Sequence, residues 1–309
     1  MTHFPYVGSG PYCYSNSFSM VFGAEAPSTA VIETATGGPF GMQLIGGTLP
    51  FFDPYGWTPE EGFDKALATL GWSSTTVRAA DADEALSLLR KSLVDGPVWA
   101  GPVDMGLLRH QPGMTGPMGA DHYVVVIEVD DERVLMHDPH GFPYATLPLQ
   151  DFLEAWRIEK VDYGKPFTMR TGFTRFAEVS EVDAIRESIP TAVHWLSMRG
   201  GADMPPGSLG NGAAAEALAD LVEAGKHPHD HLVHFAVRVG ARRIADAATC
   251  LARVGLTEAS RITDEQARLI GSMQHPLVVG DLKKAADALR ALAPTYDELL
   301  SALPDPPQC

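Results

Sequence analysis

Cysteine is scarce in this chain. The 309 residues hold three, Cys13, Cys250 and Cys309, too few and too scattered for a disulfide framework or a zinc site. Reactivity or burial is what remains for them. Long apolar runs are lacking too: no stretch reaches the roughly eighteen residues of a membrane span, and no basic-apolar leader opens the sequence. We therefore expect a cytoplasmic protein with no membrane partner. Positive charge is in short supply, with 23 Lys and Arg against 39 Asp and Glu and a net charge of −16. Such a surface repels phosphate backbones, which argues against nucleic acid and suits a basic small molecule, or solubility alone, better. The sequence has no internal repeat, and its length favours two domains.

Against these absences, the stretch Gly8 to Gly23 (GSGPYCYSNSFSMVFG) stands out. After the turn-like Gly8-Ser9-Gly10-Pro11, Phe18, Met20, Val21 and Phe22 form an apolar side at helical spacing, so Cys13 falls in or beside a first helical turn. A thiol there meets unpaired backbone N–H groups and the positive end of the helix dipole, both of which favour thiolate. That is a setting for a nucleophile, although a small buried apolar cysteine is the commoner case.

Downstream, Glu33 to Trp57 is crowded with Gly, Pro and aromatics and reads as a long ordered loop packed over something. Thr58-Pro59-Glu60-Glu61 supplies an N-cap, a first-turn proline and a capping-box glutamate for a helix that turns Phe63, Ala66, Leu67 and Leu70 to one face. Thr75 to Arg78 suits a short strand, Asp81 to Val94 an amphipathic helix, and Val98 to Val103 a buried strand. Leu147 to Trp156 suits a short helix and Phe167 to Phe176 a strand. From about residue 177 helical character dominates: Val182 to Met198, with Pro190 expected to break or kink it, then Ala213 to Ala224, His231 to Val254, Asp264 to Gly271 and Asp281 to Leu292. The boundaries expected are 1–176 for a first domain and 177–309 for a helical second one.

Ala120 to Glu128 (ADHYVVVIE) and Glu132 to Asp138 (ERVLMHD) read as a β-hairpin around Val129-Asp130-Asp131. If the turn is centred on Asp130, Val126 faces Val134, Val124 faces Met136 and His122 faces Asp138. Directly opposed Cβ atoms lie about 4.5–5.5 Å apart, within reach of an imidazole–carboxylate hydrogen bond. A slip of one residue would turn Asp138 to the face of Tyr123. Cysteine at a helix start, histidine on a strand and an acid on the next strand make a nucleophile, base and orienter set: Cys13, His122 and Asp138.

These residues carry a resemblance. Cys13, His122-Tyr123-Val124-Val125-Val126 and Asp138-Pro139-His140-Gly141 follow, in order, the pattern of papain-like cysteine folds and, within them, of the C39-type peptidase-like group. The match covers about the first 175 residues. Joined to a helical C-terminal region, the arrangement is similar to the butirosin biosynthesis protein H family. The resemblance implies an α+β fold, with a papain-like domain built on a central antiparallel sheet and a helical domain after it. It also implies cofactor-free acyl transfer from an acyl carrier protein or other acyl-thioester donor to an amine through an acyl-S-Cys13 intermediate, as in specialised-metabolite biosynthesis. The alternative is a cysteine peptidase or amidase in which water accepts the acyl group. A third is a binding protein that keeps the fold without the catalysis.

Members of those groups carry a glutamine six residues before the cysteine, to donate to the oxyanion; Val7 stands there in this chain. The backbone N–H of Cys13 would be one oxyanion donor, with Gln43, Asn16 and the Tyr6 hydroxyl as candidates for the second. His227, His229, His231 and His234 resemble a metal cluster but lack characteristic ligand offsets and read as a polar helix entrance, so no metal site is expected. His137 and His140 flank Asp138 and read as packing residues. Cys250 reads as buried in an Ala-rich helix and Cys309 as part of a Pro-rich tail. Oligomeric state is not legible.

Overall fold

In the computed structural model, which describes residues 11–159 and 164–304, the chain opens with helix α1 (Cys13–Phe22). After it come α2 (Thr29–Ala35), short strands β1 (Gln43–Ile45) and β2 (Leu49–Phe51), and α3 (Pro59–Thr69). Next are β3 (Trp72–Arg78), α4 (Ala82–Ser92), β4 (Val98–Asp104), β5 (Asp121–Val129), β6 (Arg133–Asp138), β7 (Phe142–Pro148), α5 (Leu149–Trp156) and β8 (Thr168–Arg175). The remainder is helical apart from β9 (Leu209–Gly210): α6 (Glu181–Leu196), α7 (Asn211–Glu223), the single turn α8 (His229–His231) and α9 (Val237–Arg253) lead to α10 (Thr257–Ser272), α11 (Gln274–Val279), α12 (Leu282–Leu292) and α13 (Thr295–Ala302). The architecture is thus mixed α/β with antiparallel sheets and a C-terminal helical region. No helix among the described residues is long and apolar enough to cross a membrane.

Two compact units emerge. One comprises Tyr12–Thr29 and Gly71–Glu178, the other Ala30–Leu70 and the described residues from Val179 onward. A junction thus falls at Glu178/Val179, beside the expected boundary, while 30–70, read from sequence as part of the first domain, stands with the helical unit.

The first unit is built on a six-stranded antiparallel sheet in the order β3-β8-β4-β5-β6-β7. Both faces of its centre are covered, which is why β4 and the Tyr123–Val126 run are buried without alternation. On one face Phe18 of α1 lies 4.4 Å, centroid to centroid, from Trp99, which lies 5.0 Å from Tyr123; Phe22 stacks on Trp72 at 4.4 Å. On the other, Val98, Val124, Val126, Val134 and Met136 pack with Leu89 of α4 and with Phe152 and Trp156 of α5. Each such side chain contributes on the order of 1.5–3 kcal/mol by leaving water. Gly101 lets β4 pass over this layer: its φ is +154°, and a Cβ there would collide with the Tyr123 ring.

Capping follows the sequence. Thr58 accepts from the Glu61 N–H at 3.5 Å, with Pro59 at the first helical position, and Asp81 accepts from the Glu84 N–H at 2.9 Å to start α4. Three elements differ from expectation. The segment 33–57 holds the end of α2 and the β1–β2 hairpin, and most of it outside the hairpin turn is buried. Strand β7 was not anticipated, because Phe142–Pro148 is mostly exposed and lacks an apolar alternation. Helix α6 continues through Pro190. The proline removes one N–H, and the buried Ala192, Val193 and Leu196 anchor the turns beyond it.

In the helical unit β1 is the middle strand of a β2-β1-β9 sheet. Phe40, Met42, Leu44 and Phe52 join a core made with α7, α9, α10 and α12. At its centre the Arg243 guanidinium, 4 % exposed, binds Glu33 Oε1 at 2.6 Å and Asp53 Oδ2 at 3.1 Å. It also lies 5.6 Å from the Trp57 ring centroid.

Candidate active site

Cys13 is the first residue of α1 and is half-buried; the preceding Tyr12 provides no side-chain cap. Helix α1 packs on the β4–β5 part of the sheet through Phe18 and Trp99. His122 is the second residue of β5 and Asp138 the last of β6, so antiparallel pairing brings both to the same end of the sheet.

The pairing register differs from expectation in an instructive way. Val129 faces Val134 and Glu128 faces Leu135, an odd displacement from the expected register that would turn Asp138 to the face of Tyr123 and Val125. The cause is the turn: the Asp130 carboxylate accepts from the backbone N–H groups of Glu132 and Arg133, both at 2.8 Å, and so lengthens the connection. A bulge at Ile127 then adds one residue to β5, after which Val126 faces Met136 and Val125 faces His137. The two shifts together restore the face. His122 and Asp138 are therefore diagonal neighbours rather than directly opposed, and the ring still reaches the carboxylate: His122 Nε2 lies 2.7 Å from Asp138 Oδ1.

Asp138 has no exposed side-chain surface and receives four donors. Oδ1 accepts from His122 Nε2 and from the backbone N–H of His140 at 2.8 Å; Oδ2 accepts from His110 Nε2 and Gln111 Nε2, each at 2.7 Å. Burial pushes its carboxyl up, but the hydrogen bonds from His110 and His122, the attraction of His122 and the His140 N–H outweigh that, so the pKa lies well below the usual carboxylate range. Asp138 is an anion, so the imidazole nitrogens facing it carry protons. His122 thus presents Nδ1 as its basic nitrogen.

His110 and Gln111 were missed in the sequence, where His110 to Gly119 reads only as a Gly/Pro/Met loop. No spacing rule ties a loop residue to a strand end, and the link exists only once the loop folds. His140, read as a packing residue, joins the site through its backbone and through Nδ1, 3.4 Å from Gln111 Oε1. His137 faces away, its Nδ1 accepting from the Tyr144 N–H at 3.0 Å.

Of the candidate oxyanion donors, Asn16 lies one turn along α1, half-buried, with its backbone N–H on Tyr12 O at 3.0 Å. Gln43 belongs to the helical unit, where its Nε2 donates to Asp53 at 2.6 Å and its Oε1 accepts from the Gly56 N–H at 3.2 Å. Tyr6, with Val7, lies outside the described residues, as does Cys309. Cys250 is fully buried, which pushes its thiol up to about 11. In the histidine-rich stretch, His231 Nε2 binds the Pro50 carbonyl at 2.7 Å.

Residues 205–304, from just before β9 through α13, match the family described as the YobF C-terminal domain. The chain is also similar to the "Uncharacterized protein YobF" of Bacillus subtilis (strain 168), at 35% identity over 163 residues, which is 52% of this chain and 52% of that protein. The chain thus spans about half the length of the curated relative it matches.

Proposed function

We propose that the sheet unit is a papain-like catalytic domain that moves an acyl group from a thioester to an amine through Cys13. The observation that supports this most is a buried anionic Asp138 holding His122 by Nε2 at 2.7 Å, on a strand against which the helix opened by Cys13 is packed. The Cys13 thiol gives its proton to His122 Nδ1 and its sulfur attacks the thioester carbonyl. The bond from that carbon to the donor sulfur breaks, and the His122 proton goes to the leaving thiolate. An amine then attacks the acyl-S-Cys13 carbon, its proton passes to His122, and the carbon–sulfur bond breaks to return the Cys13 thiolate. Proton transfer of this kind contributes about 10²–10⁴-fold to rate. By strand parity His122 shares the face of Val124 and α1 lies on the face of Tyr123, so the sulfur must approach the ring around the end of β5. Both His122 and Asp138 stand at that end.

The donor we propose is a carrier-protein-bound or related acyl thioester, in keeping with the similarity to the butirosin biosynthesis protein H family. Intact-mass measurement after incubation with acyl-thioester donors should show one added acyl group, lost in Cys13→Ala and slowed in His122→Ala. Adding amines should shift the product from free acid to amide; a product that stays free acid with every amine identifies hydrolysis instead. A chain that no thioester acylates, or a Cys13→Ala variant acylated like the parent, would sink the proposal.

A further inference from the structure

The segment between β4 and β5, residues 105–120, is tied down at both ends. The buried Asp104 carboxylate accepts from the N–H groups of Gly106 at 2.9 Å, Met118 at 3.1 Å and Gly119 at 3.1 Å. The Met105 N–H binds Ala120 O at 2.9 Å and the Gly116 N–H binds Gly106 O at 3.1 Å. Between these ties Arg109 reaches Asp151 and Glu154 of α5. What this fixed loop delivers is His110 and Gln111, side by side, to one oxygen of Asp138.

The His110 side chain is only 9 % exposed, and its Nδ1 is buried with no hydrogen-bond partner among the described residues. A proton on Nδ1 would find no acceptor among the described residues, whereas one on Nε2 has Asp138 Oδ2 at 2.7 Å, so the ring serves Asp138 as an Nε2–H donor. With Gln111 it fills Oδ2, so the carboxylate cannot rotate without breaking two bonds, and Oδ1 is kept for His122. We infer that His110 is a positioning residue for the proposed reaction: through its Nε2–H it fixes Asp138, and through Asp138 the tautomer and direction of His122. This inference rests on the proposed role of Cys13, His122 and Asp138.

The test is the rate of Cys13 alkylation by iodoacetamide at neutral pH in a Cys309→Ser background, where buried Cys250 does not compete; that rate follows the thiolate fraction. Removing the donor with His110→Leu should slow alkylation about 10- to 100-fold, the range seen when partners of functional ligands are lost. His110→Gln, whose Nε2 lies the same number of bonds from the backbone, should restore the rate to within about threefold, whereas the shorter His110→Asn should not. His110→Asn and His110→Gln form the deciding pair if His110→Leu fails to fold. Equal rates in the Asn and Gln variants, with His122→Ala still slowing alkylation, would overturn the inference and leave the catalytic proposal standing. An unchanged rate in His122→Ala would overturn the catalytic proposal itself.

Discussion

Asp138→Asn replaces a carboxylate by an amide of the same shape, and the four donors around it decide the outcome. The His140 N–H is backbone and cannot change its role, so the new amide oxygen must take the Oδ1 position, leaving the NH₂ group facing His110 and Gln111. Gln111 can turn its amide over. His110 can accept only by moving its proton to Nδ1, a buried atom without an acceptor. Leaving such a donor unsatisfied costs about 1–3 kcal/mol, and the two bonds at Oδ1 each lose about 1 kcal/mol when their acceptor is no longer charged. Removing a buried charge acts in the opposite direction, but the lowered pKa of Asp138 means that its hydrogen bonds outweigh its burial. We expect a net loss of about 2–4 kcal/mol at neutral pH and a melting temperature about 4–12 °C lower.

The pH dependence follows from the same shift. Asp138 titrates near 3.8 when unfolded and lower when folded, so its contribution is complete above about pH 5 and is lost as pH falls through the unfolded value toward the folded one. Thermal melts of parent and variant between pH 3 and 7 should show a wide gap at pH 7 that narrows in acid. Equal melting temperatures at pH 7, or a gap that widens in acid, would refute the reasoning.

Other perturbations test other parts of the fold. Arg243→Met leaves Glu33 and Asp53 buried without their cation and should cost about 3–5 kcal/mol in denaturant unfolding; a loss under about 1 kcal/mol would show that the carboxylates find other partners. Deleting Ile127 removes only the extra residue of β5 and leaves Val126 opposite Met136 in an unbroken ladder, so the His122–Asp138 hydrogen bond should survive. The downfield imidazole N–H resonance of His122 would report this, and its loss would contradict the register given to the hairpin. Gly101→Ala places a Cβ against Tyr123 at a φ of +154° and should cost about 2–4 kcal/mol, read as a lower denaturation midpoint.

Much of the fold was legible because local signals and burial agree. The Thr58 and Asp81 caps, the apolar Val98–Val103 run of β4 and the hairpin strands each carry a pattern that one short segment fixes. The adjacency of His122 and Asp138 was legible as well, but its geometry was not, since it depends on an Asp130 turn and an Ile127 bulge that displace the strands by compensating amounts. Hairpin periodicity reports which face a residue takes more readily than which residue it opposes. His110 and Gln111 were illegible for a different reason: they reach Asp138 by loop closure, and what shapes that loop is the buried Asp104, a residue just past the Val98–Val103 strand legible in the sequence. The burial of 33–57 with helices that follow some 150 residues later is likewise a long-range fact.

That last feature bears on how the protein is made. Phe40, Met42, Leu44 and Phe52 emerge from the ribosome early, yet the helical side chains that complete their core lie from Ile189 onward. A nascent chain that has reached only residue 178 can close the six-stranded sheet while these four groups have none of those helices to pack against. The sheet can form first; the helical half must wait for its far end. A fragment cut at the apparent boundary inherits the same problem and should aggregate, whereas a shorter piece joining 12–29 to 71–178 through a polar linker leaves the sticky segment out.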